Sequence, residues 1–279
     1  MMDNILQLIE QAIAEDLGDG DHTSQATIPE DATGKMKLLV KEDGIIAGVE
    51  IARRVFQKID PEISMEVLIK DGAPIQKGDI VFYVSGRCRS MLIAERTMLN
   101  YLQRMSGIAT ATNSYTKLLE GTKAHLLDTR KTTPNMRVFE KMAVAIGGGM
   151  NHRMGLYDMV MIKDNHVDFA GGIKQAIAAE HTYLERIGKK LKIEIEVRNF
   201  DELNQVMATG GVDRIMLDNF APAEIKKAVE IIGGKFETEA SGGIKLENIR
   251  EYALTGVDFI SVGAITHHIN SLDLSLKAM

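Results

Sequence analysis

The sequence has 279 residues and a single cysteine, Cys88, so no intrachain disulfide can form and a reducing compartment is the expected setting. No apolar run approaches the ~20 residues that a membrane helix requires. The N-terminus has no basic segment followed by an apolar one, so a secretory leader is not expected and the cytoplasm is the expected location. A positive surplus is missing too. The 33 lysines and arginines face 39 acidic residues, a formal charge of −6 that argues against nucleic acid or an anionic membrane as partner. Hydrophobic content of 45% and charged content of 26% are those of an ordinary globular protein, long enough for a barrel with a smaller companion domain. Arg87 and Arg89 flank Cys88 and would activate a thiol, yet a small residue at a strand end is the plainer reading.

Against this acidic background, cations crowd into one stretch. Two apolar runs end abruptly in charge, Leu126-Leu127-Asp128-Thr129-Arg130-Lys131 and Met159-Val160-Met161-Ile162-Lys163-Asp164-Asn165-His166, with Asn151-His152-Arg153 between them. Short apolar runs read as buried strands, and charge at their carboxyl ends is where β/α enzymes place their chemistry. Arg130, Lys131, Arg153 and Lys163 would repel one another unless a ligand with several negative charges lay among them.

The first hundred residues predict an α+β domain. Apolar spacing over 4–17 predicts an amphipathic helix ended by Gly18, and alternation over 35–46 around Glu42-Asp43-Gly44 predicts a hairpin. A helix over 50–59 and strands near 63–69 and 80–84 follow. Ser90 is placed to cap a long helix with Met91, Ala94, Met98, Leu102 and Met105 on one face, expected to end near Ser106-Gly107. Beyond it, apolar runs at 124–128, 158–162, 191–197, 213–217, 236–240 and 258–262 alternate with helical stretches. The last four strand ends, near 196, 218, 240 and 262, fall 22 residues apart, the length of one strand, loop and helix. Six such units predict a parallel sheet and an incomplete barrel.

Each of these strands ends in usable chemistry. Besides the two basic ends there are Glu194 and Glu196, Asp218-Asn219, Glu239-Ala240-Ser241-Gly242-Gly243 and Val262-Gly263-Ala264. One charged strand end is usually a solvated loop; six in series are not. The two glycine turns stand where barrels form a phosphate site, with His267 four residues past Gly263 and His268 expected on the surface. Glu196 and Asp218 suit Mg²⁺, a sugar diol or acid–base work, and the residue types alone leave these open. Lys131 or Lys163 as a Schiff-base nucleophile is the alternative chemistry, although Arg130 and Arg153 speak for bidentate carboxylate or phosphate recognition. Gly147-Gly148-Gly149 reads as a helix end or a flexible approach to the site.

At these residues the chain resembles the quinolinate phosphoribosyltransferases, the carboxylating nicotinate-nucleotide pyrophosphorylases. The resemblance extends from Glu15-Asp16-Leu17-Gly18 and Gly20-Asp21-His22-Thr23, through Ala94-Glu95-Arg96-Thr97 and Ser106-Gly107-Ile108-Ala109-Thr110, to Asp128-Thr129-Arg130-Lys131-Thr132, Asn151-His152-Arg153, Lys163-Asp164-Asn165-His166, Leu217-Asp218-Asn219-Phe220, Ser241-Gly242-Gly243-Ile244 and Val262-Gly263-Ala264. It implies an α/β fold: an N-terminal α/β sandwich domain over 1–107, an incomplete, seven-stranded type of α/β barrel over 108–265, and a segment over 266–279 returning to the first domain. It implies joining of quinolinate to 5-phosphoribosyl-1-pyrophosphate with Mg²⁺, release of pyrophosphate and CO₂, and formation of nicotinate mononucleotide for NAD synthesis. It also implies a homodimer with shared sites.

Carried over by position, Arg130, His152, Arg153 and Lys163 would hold quinolinate, joined by Arg96 from the neighbouring subunit and by Thr129. Lys131 would contact phosphoribosyl pyrophosphate, and with Glu196 and Asp218 would make up the catalytic set. Glu196 and Asp218 would hold the ribose hydroxyls and the metal, Glu196 being preferred to Glu194 because it is nearer the strand's carboxyl end. Ser241, Gly242, Gly243, Val262, Gly263, Ala264 and His267 would bind the 5-phosphate region. A paralogue with another anionic ring substrate, a Schiff-base lyase and a silent binding protein are the competing readings.

Overall fold

The amphipathic spacing near the N-terminus forms α1 (Met2–Leu17), which Gly18 leaves at a left-handed φ of 53°. The computed structural model describes residues 2–279, with side chains from residue 4 onward. After α1 come α2 (His22–Thr27), whose start Asp21 caps by accepting the Ser24 amide at 3.0 Å, then β1 (Thr33–Val40), β2 (Gly44–Ile45), α3 (Val49–Ile59), β3 (Ser64–Val67), β4 (Pro74–Ile75), β5 (Ile80–Arg87) and α4 (Cys88–Leu119). The next elements are β6 (His125–Leu127), α5 (Arg137–Ile146), β7 (Val160–Ile162), α6 (Asp164–Ala170), α7 (Ile173–Ile187), β8 (Ile193–Val197), α8 (Phe200–Thr209) and β9 (Arg214–Asp218). The chain ends with α9 (Pro222–Ile232), β10 (Glu237–Ser241), α10 (Ile249–Ala253), β11 (Phe259–Ser261), α11 (Ala264–His267) and β12 (Leu274–Ala278).

These elements fall into two units. The first holds the residues through Asn113 together with Thr132–Gly148 and Ile265–Met279; the second holds Ser114–Lys131 and Gly149–Ala264. The boundary between these units falls inside α4, a few residues beyond the expected 107/108, and the segment around α5 belongs to the first unit. Gly147, the C-cap of α5, shows why, since a Cβ there would press into the Ala109 backbone and Thr112, so the helix end is seated tightly on α4.

In the first unit, an antiparallel sheet runs in the order β12-β1-β5-β3, so the last strand does return to pair with the first, Leu38 opposite Leu276. The hairpin expected at Glu42-Asp43-Gly44 does not form. Both edges of β1 are taken, by β12 and β5, and β2 pairs with β4 instead. Helix α4 begins at Cys88 rather than after Ser90, and it passes through Ser106-Gly107 to Leu119. Neither residue is a stop signal. Ser106 is fully buried, its hydroxyl accepting the Ala47 amide at 3.0 Å and donating to the Ala47 carbonyl at 3.2 Å. Gly107 lets the backbone at Asn270 approach, because a Cβ there would collide with that carbonyl.

The second unit is a parallel sheet in the order β6-β11-β10-β9-β8-β7. Met150 adds a single parallel bridge to Leu127 on the outer side of β6, so the sheet consists of six strands plus one bridging residue. Ile195, Val197, Ile215, Leu217, Ala240 and Ile260 are fully buried, each large side chain contributing roughly 1.5–3 kcal/mol by leaving water. Strand residues alternate between faces, so Glu194 and Glu196 share the face opposite to Ile195 and Val197. All six strands run the same way, which puts their carboxyl ends along one edge of the sheet.

Candidate active site

In-register pairing builds the site from the strand ends. Ile162 pairs with Ile195, so the residues that follow them, Lys163 and Glu196, are brought together; Lys163 Nζ lies 2.8 Å from Glu196 Oε2. Asp218 and Ser241 are direct partners at the ends of β9 and β10. Burial pushes the Asp218 carboxyl above its usual range, the charge of Glu196 adds to this, and Lys163 opposes it. Asn219 donates to Asp218 Oδ2 at 2.6 Å and adopts a left-handed φ of 58°. Its amide hydrogen-bonds the Ser241 carbonyl at 2.8 Å, which ties this turn to the next. Gly242 and Gly243 continue in left-handed conformations at φ 94° and 64°. A Cβ on Gly242 would collide with the Asn219 side chain, so glycine is required there by both φ and space.

The other side of the edge carries the arginines. After β6, Asp128 is fully buried; its amide donates to the Met150 carbonyl at 3.1 Å and its Oδ1 accepts the His152 amide at 2.8 Å. Thr129 Oγ1 accepts the Lys131 amide at 3.0 Å, which shapes the Thr129-Arg130-Lys131 turn. Arg153 follows His152, and its Nη1 donates to the Met159 carbonyl at 3.4 Å. Burial and then the positive charge of Arg130 push the Arg153 guanidinium below its ordinary range, a sign that the two arginines are neighbours. Lys131 and Lys163 are exposed, and Arg130 and Arg153 are half-buried.

A second layer of charge lies behind the edge, reaching as far as Arg214 at the start of β9. Glu194, Glu239 and Arg214 sit inside an otherwise apolar sheet, with Glu194 and Glu239 fully buried. Arg214 reaches Glu239 Oε2 and Glu237 Oε2, each at 3.0 Å, and its guanidinium lies 3.9 Å from the Phe259 ring centroid. His152 Nε2 approaches Glu194 Oε2 at 3.0 Å and Glu239 Oε2 at 3.3 Å. Burial beside Glu239 raises the Glu194 carboxyl to about 7. Ligand atoms of His152, Glu194 and Glu239 lie within 4.8 Å of one another, a spacing a cation could use. The proton count argues otherwise. The Arg153 amide donates to His152 Nδ1 at 2.7 Å, so the ring's proton belongs on Nε2, where a metal would need a lone pair. Burial lowers the His152 ring but Glu194 and Glu239 together raise it to about 9, toward a doubly protonated ring, whereas the amide aimed at Nδ1 at 2.7 Å requires a lone pair there and favours the Nε2–H form.

The strand-end carboxylates fit a divalent cation better. Glu196 and Asp218 sit on adjacent strands, their oxygens compete for positive charge, and hard oxygen ligands of this kind suit Mg²⁺.

Thr129, Arg130, Lys131, His152, Arg153, Lys163, Glu196, Asp218, Ser241, Gly242, Gly243, Val262, Gly263 and Ala264 all lie in the second unit, at or just past its strand ends. Arg96, exposed on α4, and His267, exposed at the end of α11, belong to the first unit. In that unit Arg104 donates to Glu140 Oε1 at 2.9 Å and to the Thr266 carbonyl at 2.6 Å, while Glu140 Oε2 accepts the Thr133 amide at 3.2 Å. These contacts hold the residues following Lys131 and the turn carrying His267. Sequence reasoning passed over Arg104, Glu140, Arg214 and the buried pairing of Glu194 with Glu239. The only signal was two carboxylates at alternate positions of an apolar strand, Ile193-Glu194-Ile195-Glu196-Val197.

A parallel α/β sheet with basic and acidic strand ends beside glycine turns defines an enzyme acting on polyanionic substrates. Residues 21–106 match the model for the quinolinate phosphoribosyl transferase N-terminal domain, and residues 108–277 match that for the C-terminal domain. The chain belongs to the quinolinate phosphoribosyltransferase family. It is 46% identical over 287 residues to the chloroplastic carboxylating nicotinate-nucleotide pyrophosphorylase of Arabidopsis thaliana, covering 97% of this chain and 81% of that one. It is 44% identical over 285 residues to the decarboxylating quinolinate phosphoribosyltransferase 1b of Nicotiana tabacum, with the same coverage. Among solved structures, the nicotinate-nucleotide pyrophosphorylase of Francisella tularensis superposes with a TM-score of 0.92 at 42% identity, covering 99% of this chain and 96% of that one.

Proposed function

We propose that this protein transfers the phosphoribosyl group of 5-phosphoribosyl-1-pyrophosphate to quinolinate with loss of CO₂, giving nicotinate mononucleotide and pyrophosphate for NAD synthesis. The observation that carries this is the strand-end set itself. Four cations, Arg130, Lys131, Arg153 and Lys163, gather with Glu196 and Asp218 on one sheet edge of an acidic protein. A dianionic ring acid and a polyanionic sugar pyrophosphate satisfy that balance of charge.

In this reading Arg130, Arg153 and Lys163 receive the two carboxylates of quinolinate, and Thr129 adds a polar contact. Lys131 receives the pyrophosphate. Glu196 and Asp218 accept hydrogen bonds from the ribose hydroxyls. Ser241, Gly242 and Gly243, with Val262, Gly263 and Ala264, receive the 5-phosphate. Mg²⁺ held by Glu196 and Asp218 would, when bound, neutralise charge on the pyrophosphate. The quinolinate ring nitrogen donates its lone pair to C1 of the ribose as the C1–O bond breaks, and the pyrophosphate leaves with that electron pair. Lys131 stabilises the growing negative charge, and no protein nucleophile is needed. The pyridinium so formed accepts the electron pair released when the adjacent carboxylate departs as CO₂, and a proton from water completes the product. The arginines contribute by fixing the ring and keeping water away from the carboxylate.

A Schiff-base lysine fits less well. Lys163 Nζ is engaged by Glu196 at 2.8 Å, and Lys131 is exposed rather than enclosed in an apolar pocket. We further propose a cytoplasmic homodimer in which Arg96 of the partner subunit completes each quinolinate pocket. The reading is tested by following pyrophosphate and CO₂ release from phosphoribosyl pyrophosphate and Mg²⁺ with quinolinate and, separately, with nicotinate. Equimolar release with quinolinate alone is expected; turnover with nicotinate, or none with quinolinate, would overturn it.

A further inference from the structure

Three groups of His152, its amide and its two ring nitrogens, do different things. Its amide donates to Asp128 Oδ1 at 2.8 Å, which fixes the base of the segment carrying Arg130 and Lys131. Its Nδ1 accepts the Arg153 amide at 2.7 Å, which fixes the second arginine. Its Nε2 faces the buried Glu194 and Glu239, and Arg214 secures Glu239 from the other side at 3.0 Å. Nδ1 is thereby committed to protein, Nε2 lies against two buried carboxylates without a hydrogen bond of good geometry, and the side chain is only 4% exposed. Arg130 and Arg153 repel each other before a substrate arrives, so something must hold their segments in place.

We infer that His152 is a brace rather than a substrate contact: Glu194, Glu239 and Arg214 lock its ring, and the locked ring holds the Arg130 and Arg153 segments in carboxylate-binding register. This rests on reading those arginines as the quinolinate pair. Glu194, Glu239, Arg214 and His152 are positioning residues in this scheme. Supporting partners of this kind commonly change binding ~10-fold when removed, without touching the ligand.

The test has two parts. The first is ¹⁵N-histidine NMR of the wild-type protein, with the His152 resonances assigned through His152→Asn. The brace requires Nε2 protonated and Nδ1 unprotonated in the free protein, and the same tautomer with quinolinate bound. A doubly protonated ring would leave Nδ1 unable to accept the Arg153 amide, and a tautomer that changes when quinolinate binds would show that a ring nitrogen serves the substrate; either result overturns the brace. The second part is steady-state kinetics of Glu194→Gln and Glu239→Gln, each checked for folding by circular dichroism. We expect the KM for quinolinate to rise about 10-fold, with the KM for phosphoribosyl pyrophosphate changed less than about twofold. Equal change in both constants, or none, contradicts the inference. If neither variant folds, the wild-type spectra decide alone. The unliganded spectrum is independent of activity, so failure of the proposed reaction and failure of the brace are read separately.

Discussion

Glu194 and Glu196 stand two residues apart on one face of β8 and do different work. Glu196, at the strand end, meets Lys163 and the substrate edge, whereas Glu194, one pleat back, meets His152 and is pushed up to about 7 by burial beside Glu239. Depth along a strand decides which carboxylate stays available to a ligand. Asp60 shows the opposite shift. Arg87 donates to it at 2.7 Å, and this contact draws its carboxyl from 3.8 down to about 2 despite burial. A depressed carboxyl stabilises the fold above pH 3.8, and that contribution disappears as pH falls toward 2. Thermal unfolding of Asp60→Asn should therefore show a lower Tm at neutral pH and a shallower decline across that acid window. An unchanged acid slope would mean that Asp60 is not linked to folding.

At the scale of elements, the turn Asp218-Asn219 and the turn Ser241-Gly242-Gly243 form one structure through the Asn219 amide and the Ser241 carbonyl. Gly242→Ala adds a side chain where φ is 94° and where Asn219 already stands. The KM for phosphoribosyl pyrophosphate is expected to rise on the order of 10-fold, a cost of about 1.4 kcal/mol, while quinolinate binding measured by calorimetry changes little. Equal loss of both would place the effect on the whole fold.

The parallel strands were legible because each is an apolar run followed by charge, and their fixed spacing reflects repeated strand–loop–helix units. The hairpin at Glu42-Asp43-Gly44 was misread because local alternation does not reveal that β12, more than two hundred residues away, claims an edge of β1. The length of α4 was misread for a similar reason, since Gly107 answers to the backbone at Asn270 and not to a helix end. The strand-end residues of the site were visible as residue types. The buried layer behind them was not, because a charge inside a strand looks the same in sequence whether it faces water or another charge.

At the scale of the whole molecule, the proposed sharing of sites between subunits has a direct consequence. Arg96→Ala and Lys131→Ala should each abolish most activity alone. Refolded together, they should regain activity, because each mixed dimer contains one site with an intact Arg96 and an intact Lys131. Absence of recovery in a confirmed mixed dimer would confine Arg96 to its own subunit.

The most direct test of the central claim remains simultaneous measurement of pyrophosphate and CO₂ from phosphoribosyl pyrophosphate and Mg²⁺, with quinolinate and nicotinate offered separately. The two-carboxylate pocket predicts one CO₂ per pyrophosphate with quinolinate and no turnover with nicotinate. Pyrophosphate release without CO₂, or comparable turnover with nicotinate, would contradict it.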